Sequence, residues 1–357
     1  MTETPRHAFL ASLLATAVAA QAPDARPGPT APAATPIEPA IEPTAEETAV
    51  LCWINRFRRD PKAFAQLVLH GNQPENATHV DWDMFLAEVS ALPPAPPVFF
   101  DARLTAAARA HARYTIENRH YGHRETPGRP GFTGEWPHQR AANAGYPHDT
   151  AECAWARGRS ALEIVASKVV DAGPPDEGSG GMQEGRGHRR CAVDPRWRDV
   201  GVGLFPWGDG LLSNVQLFGA GQAGIRIVGG VAIDDRDDDL FYDPGEGLGG
   251  VHVRLGEHAT RTSRSGAFRL DLPPDAAGRL VARLGPLEIS LPIAADGEHR
   301  HVELCFDVAG AVAELEAALA AVPENAKAKR RELQLRLVLL RPPIGADEVA
   351  LADEVAA

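Results

Sequence analysis

Beyond a short apolar run near its start, the 357-residue chain has no segment long and apolar enough for a transmembrane helix. It is also short of positive charge. Lys and Arg total 36 against 48 Asp and Glu, a formal net charge of -12. A surface that neutralises phosphates needs clustered Lys and Arg, so a nucleic-acid partner is excluded, and calcium or a neutral ligand fits better. No nucleophile elbow, phosphate-binding glycine loop or His-Glu-x-x-His helix occurs, which removes three common catalytic frameworks. Cysteine is scarce, with four residues, Cys52, Cys153, Cys191 and Cys305. In an exported chain these allow two bridges by three connectivities.

What remains is an ordinary globular composition, 44% hydrophobic and 24% charged, on a chain long enough for at least two cores. Residues 8 to 20 form an apolar run that ends in small residues suited to a signal peptidase. Residues 1–20 therefore read as a secretory signal, with an uncleaved anchor or a buried helix as the alternatives. Residues 21–45 are rich in Ala, Pro, Thr and Glu, a composition that tethers rather than packs.

Structured sequence begins with Thr44-x-x-Glu47, a capping box ahead of Val50, Leu51, Ile54 and Phe57 at helical spacing. A second helix follows Asp60-Pro61, and residues 71 to 92 read as a long loop holding one short helix. Asp101 is placed to cap a helix with Leu104, Ala107, Ala108, His111 and Ala112 on one face. A further helix runs from Ser160 to Val170. Asp199 to Phe205 and Leu211 to Phe218 read as a strand pair turned through Trp207 to Gly210. The glycines of the first strand allow close backbone packing.

Two phrases carry the chemistry, Tyr121-Gly122-His123-Arg124-Glu125 and Arg186-Gly187-His188-Arg189-Arg190, with Glu152 in an apolar segment between them. Two imidazoles and an acid brought together bind a metal or move a proton. His111 reads as a helix-packing histidine in preference to a ligand, and His120, His138 and His148 read as surface residues. Residues 173 to 186 read as an unconstrained surface loop, with a lid as the alternative.

These phrases, with Leu104 to Ala112, Val200-Gly201-Val202-Gly203 and Val215 to Gly219 in the same order, resemble a bacterial member of the CAP superfamily. That superfamily, also called the SCP domain, takes in cysteine-rich secretory proteins, antigen 5 and pathogenesis-related 1 proteins. The likeness covers residues 46–221. It implies an α-β-α sandwich with a shallow cleft lined by His123, Glu152, His188 and Asp171, in which His123, His188 and Glu152 are zinc candidates. If Glu152 and His188 converge, so do the neighbouring Cys153 and Cys191, and a disulfide between them is expected. Cys52 and Cys305 read as buried thiols. Family members bind lipids or protein partners and in scattered cases hydrolyse, so the resemblance favours a non-enzymatic module for a small ligand, a lipid or a cell-surface partner. A zinc-dependent hydrolase and an adhesin with a vestigial cleft are the alternatives. Secretion to the periplasm or the cell surface goes with it.

Residues 225–306 carry short strand-like runs separated by turns, the pattern of a β-sandwich, so the fold class is α+β with a smaller all-β domain second. Within it Asp235, Asp237, Asp239, Asp243 and Glu246 take positions 1, 3, 5, 9 and 12 of a calcium-loop register, although Leu240 replaces the usual glycine. This loop resembles those of adhesin B-type repeats and related prealbumin-like sandwiches. In residues 307–357 an amphipathic helix from Val308 to Val322 is expected, then a possible strand in which Leu333, Leu335, Leu337 and Leu339 alternate.

Overall fold

A computed structural model describes residues 42–175 and 179–340. The expected signal segment, nearly all of the tether, and the chain beyond residue 340 lie outside the described residues. Helix α1 (Ala45–Arg59) starts at the predicted capping box, with the Thr44 hydroxyl accepting from the Glu47 N–H and the Glu47 carboxylate accepting from the Thr44 N–H. Asp60 caps α2 (Pro61–Leu69), and Asp81 caps the short α3 (Trp82–Ser90). After β1 (Phe99–Phe100), Asp101 accepts from the N–H groups of Arg103 and Leu104 to open α4 (Ala102–Glu117). Next come α5 (Pro137–Asn143), β2 (Thr150–Gly158), α6 (Ala161–Val170), α7 (Gly187–Val193), β3 (Asp199–Gly208) and β4 (Leu211–Gly219).

The first sheet has the order β1-β3-β4-β2, with β1 and β3 parallel and the other pairs antiparallel. Its strands alternate between two helical layers, as a period of two requires. Val200, Val202, Phe218 and Cys153 pack under α1, α2 and α6. Val215, Leu217 and Ala154 face α4 and α5. This is the expected α-β-α sandwich. Gly201 and Gly203 face α4 so closely that a Cβ on either would sit 2.0 Å and 2.2 Å from the helix backbone. No other residue fits, and α4 is thereby pressed onto the sheet at the height of His111.

The described part of the 173–186 segment is anchored, contrary to the loose loop expected from its glycines. Met182 is fully buried, the Asp81 N–H donates to the Gly180 carbonyl, and the Arg186 guanidinium grips Glu88 on α3 through Nε at 2.9 Å and Nη2 at 2.8 Å. Gly181 can lie there because its Cβ would otherwise strike the His79 carbonyl.

The second region is a two-sheet sandwich of β5 (Arg226–Asp234), β6 (His252–Leu255), β7 (His258–Arg261), β8 (Ala267–Leu272), β9 (Gly278–Leu284), β10 (Leu287–Ile293) and β11 (Arg300–Phe306). The sheet orders are β10-β9-β6-β7 and β11-β5-β8. Val228, Leu270 and Leu304 from one sheet meet Val253, Leu280 and Ile293 from the other. Strand β7 is half polar and was not legible in the hydrophobic pattern. After β11 come α8 (Val308–Ala321) and α9 (Lys327–Leu340). The strand expected at residues 333 to 339 is therefore a helix. Leu333, Leu337 and Leu340 are its buried positions, spaced i, i+4 and i+7, and this face satisfies the leucines better than the alternation they share with Leu335 and Leu339.

The two regions pack directly on each other. Phe241 lies 4.4 Å from Trp53 of α1 in a cluster with Ala49, Cys52, Val231, Ile233 and Tyr242. Asp199 at the start of β3 accepts from the Tyr146 hydroxyl and from Arg269 of β8, both at 2.7 Å. Gly229 of β5 leaves room for the Phe99 ring.

Candidate functional site

The ends of α4 and α6, strand β2 and the start of α7 converge, and they bring together the four residues expected to line a cleft. Glu152 on β2 is buried, and its Oε1 accepts from Nδ1 of His123 at 2.9 Å. Asp171 is the residue that ends α6, in the left-handed region with φ at 57°. That turn points its carboxylate at α7. Oδ1 accepts from Nδ1 of His188 at 2.6 Å and Oδ2 from the His188 backbone N–H at 3.0 Å. The carboxylate thus reaches its histidine because the backbone turns at Asp171.

The rings of His123 and His188 lie 6.2 Å apart, tilted by 40°. Each has Nδ1 on a carboxylate, and no described residue bonds either Nε2. A carboxylate at Nδ1 fixes the proton there and leaves the Nε2 lone pair for a ligand, the usual support of a metal-binding histidine. Desolvation holds the His188 pKa below its ordinary value despite the opposing Asp171 bond, which favours the neutral ring that a metal needs. The donor set fits two imidazole ligands to one borderline cation such as zinc. Glu152 does not complete it directly, because its Oε2 accepts from Arg140 Nη2 at 2.7 Å and its Oε1 is held by His123.

Beneath the cleft lies a buried polar network that the motifs did not reveal. The Arg140 side chain on α5 is fully buried between Glu152 and Glu125 and also donates to the carbonyls of His123 and Gly134. Glu125, also buried, accepts from the Thr133 N–H at 2.6 Å and pairs with His111 at 2.9 Å. The other nitrogen of His111 faces the Gly122 carbonyl at 2.9 Å. An oxygen thus faces each nitrogen of this imidazole, which locks the ring in place. It is the buried histidine expected of the helix face, and it also fixes the loop that carries His123. Burial alone would raise the Glu152 pKa, but the Arg140 charge, then His111 and the bonds from His123 and Arg140, hold it down to about 2. The only sequence signal for Glu125 was its place in the His123 phrase. Arg140 had none.

Cys153 and Cys191 do come together, as convergence of their neighbours requires, but they are free thiols in hydrogen-bond contact and not a disulfide. Cys153 also approaches the His188 carbonyl at 3.5 Å. Cys52 and Cys305 are free as well, at the contact between the two regions. His138 is exposed, and His148 is half-buried with its ring edge on Tyr146.

In the sandwich, the carboxylates of Asp235, Asp237 and Asp239 lie within 4.8 Å of one another. Asp243 and Glu246 are placed differently. Glu246 is buried, and its two oxygens accept from the N–H groups of Arg236 and Asp243, so it braces the loop. Asp243 has its pKa raised by burial and then by the charges of Glu246, Asp237 and Asp239. Leu240, at the glycine position, adopts φ of 59°.

Comparison with known proteins bears on the first region. Residues 54–211 match the model of the CAP family, described as the cysteine-rich secretory protein family. This segment is a CAP domain. Every cleft residue named above lies within it. A solved extracellular protein containing an SCP domain from Bacillus anthracis str. Ames is similar at 16% identity and a TM-score of 0.27, over 36% of this chain and 35% of that one. The likeness thus spans about a third of that protein's length. No curated protein matches. Among the described residues no helix is long and apolar enough to cross a membrane.

Proposed function

We propose that the chain is an exported, non-enzymatic binding module whose CAP domain grips a small ligand, a lipid or a cell-surface partner at the His123/His188 cleft. One observation carries this reading. Both rings are pinned by a carboxylate at Nδ1 and leave Nε2 without a partner among the described residues, a geometry prepared to hold something. Zinc is the metal that the pair would take, with Asp171 and Glu152 supporting the ligands from behind. Bound there, it would supply a Lewis-acid contact for an oxygen of the ligand.

Hydrolysis is supported less well. A general base must reach the water it deprotonates, and both oxygens of Glu152 are already committed to His123 and Arg140. The acidic loop of the sandwich is proposed as a separate calcium site built on Asp235, Asp237 and Asp239 with help from Asp243, and residues 225–306 as an adhesin-like support for the CAP domain.

The test exposes the zinc-supplemented full chain and a His123→Ala, His188→Ala double variant to lipid vesicles, peptidoglycan fragments, and ester and peptide substrates. Retention of a ligand without turnover, lost in the double variant, is the expected result. Turnover that depends on the two histidines would replace the binding reading with the hydrolase.

A further inference from the structure

Helix α6 carries one residue that neither helix packing nor the histidine pair explains. Ala161, Ile164, Val165 and Lys168 fall at i, i+3, i+4 and i+7, so Lys168 sits on the stripe that faces the sheet, and it is only 2% exposed. Its Nζ donates to the Ala154 carbonyl at 2.5 Å, where β2 bulges between Ala154 and Ala156. An ammonium has three donors. Among the described residues Lys168 has no second acceptor, and no carboxylate lies within ion-pair distance of it. Burial lowers its pKa to about 8, against the opposing pull of Cys153, Asp171 and Glu152. A buried cation with donors to spare is costly unless another group supplies the missing acceptors.

Lys168 also lines a pocket of about 440 Å³, together with Ser167, Asp171, Gln183, His188 and Leu211. That volume suits a small ligand. The acids in its wall are already engaged. Asp171 holds His188 with both oxygens, Glu163 accepts from the Arg159 N–H, and Glu75 pairs with the Arg159 guanidinium. None of them forms an ion pair with Lys168, although the Asp171 charge acts on it from a distance.

We propose that this pocket binds a small monocarboxylate, whose oxygens accept the unused donors of Lys168. A monoanion is favoured over a dianion because Glu75, Glu163 and Asp171 share the walls and repel additional negative charge. The same acids suit a ligand with an ammonium group at its other end, so amino acids belong to the class. The pocket shares His188 with the cleft, so the inference deepens the binding reading and rests on it. It differs in naming the ligand's charged group and the residue that recognises it.

Isothermal titration of the full chain tests this, with propionate and alanine as probes and propionamide and inorganic phosphate as comparators, in metal-free and zinc-loaded protein. Saturable one-to-one binding of propionate or alanine, absent for propionamide and weakened about tenfold or more by Lys168→Met, is expected, since a charge-assisted contact of this kind is worth at least one decade of affinity. If Lys168→Met does not fold, Leu211→Trp narrows the pocket from the half-buried start of β4 and must weaken the same binding. Absence of saturable carboxylate binding, binding unchanged in the folded variants, or phosphate bound as tightly as propionate would each overturn the proposal. Zinc uptake that persists without carboxylate binding would remove this pocket while leaving the histidine cleft standing.

Discussion

Arg140→Met is the most informative perturbation of the scaffold under the cleft. It leaves Glu152 and Glu125 buried with only the imidazoles of His111 and His123 beside them among the described residues and removes donors from the carbonyls of His123 and Gly134. Breaking a buried pair from one side costs about 3 to 5 kcal/mol, because the remaining charge stays desolvated. The acid dependence gives a second handle. A carboxyl held at about 2 in the fold, against an ordinary 4.5, contributes roughly 3 kcal/mol to stability. Because the folded pKa is the lower one, this contribution is fully present above about pH 4.5 and is lost as pH falls through about 2. In the variant Glu152 has lost its main cation, so its carboxyl rises and acid no longer removes that increment. The stability gap between wild type and variant, measured by urea unfolding with near-ultraviolet circular dichroism, should therefore narrow by roughly 2 kcal/mol between pH 6 and pH 3. A cost below about 1 kcal/mol at pH 6, or a gap that does not change with pH, would refute the network as described.

Three further outcomes follow from the geometry. Asp171→Asn keeps a residue that tolerates the left-handed turn but removes the charge behind His188, so zinc affinity by calorimetric titration should fall about 10- to 100-fold, and an unchanged affinity contradicts the supporting role. Gly203→Ala places a methyl 2.2 Å from the α4 backbone and should cost about 1 to 3 kcal/mol or more, seen as a lower melting temperature; a wild-type melt would contradict the close packing. Arg269→Met leaves Asp199 with Tyr146 alone at the contact between CAP domain and sandwich, so limited proteolysis at residues 220 to 225 should quicken, and an unchanged cleavage rate would show that the apolar cluster around Trp53 and Phe241 suffices.

The elements with local signatures were legible in the sequence. Thr44, Asp101 and Ser160 announce helix starts through side chains that bond their own backbone, and Gly201 and Gly203 announce a close approach because nothing larger fits. The histidines and acids of the cleft were legible through their phrases, including Asp171, whose reach depends on a left-handed turn that no spacing encodes. What stayed hidden was decided by burial. Arg140, Glu125 and Lys168 look like surface charges until tertiary packing encloses them. Lys168 had a usable signal, since it continues the inward stripe of α6. The leucines of α9 fit two periods at once, and only packing against α8, with Leu340 in the sandwich core, selects the helical one. The thiols of Cys153 and Cys191 were correctly expected to meet, but proximity alone does not make a bond.

The most direct measurement is metal content by mass spectrometry on the full chain, purified without added metal and compared with the His123→Ala, His188→Ala double variant. The account predicts close to one zinc per chain in the wild type and loss of that zinc in the variant, with any calcium on the acidic loop retained. Wild type and variant with the same zinc content, or with none, would contradict the cleft as a metal-holding site.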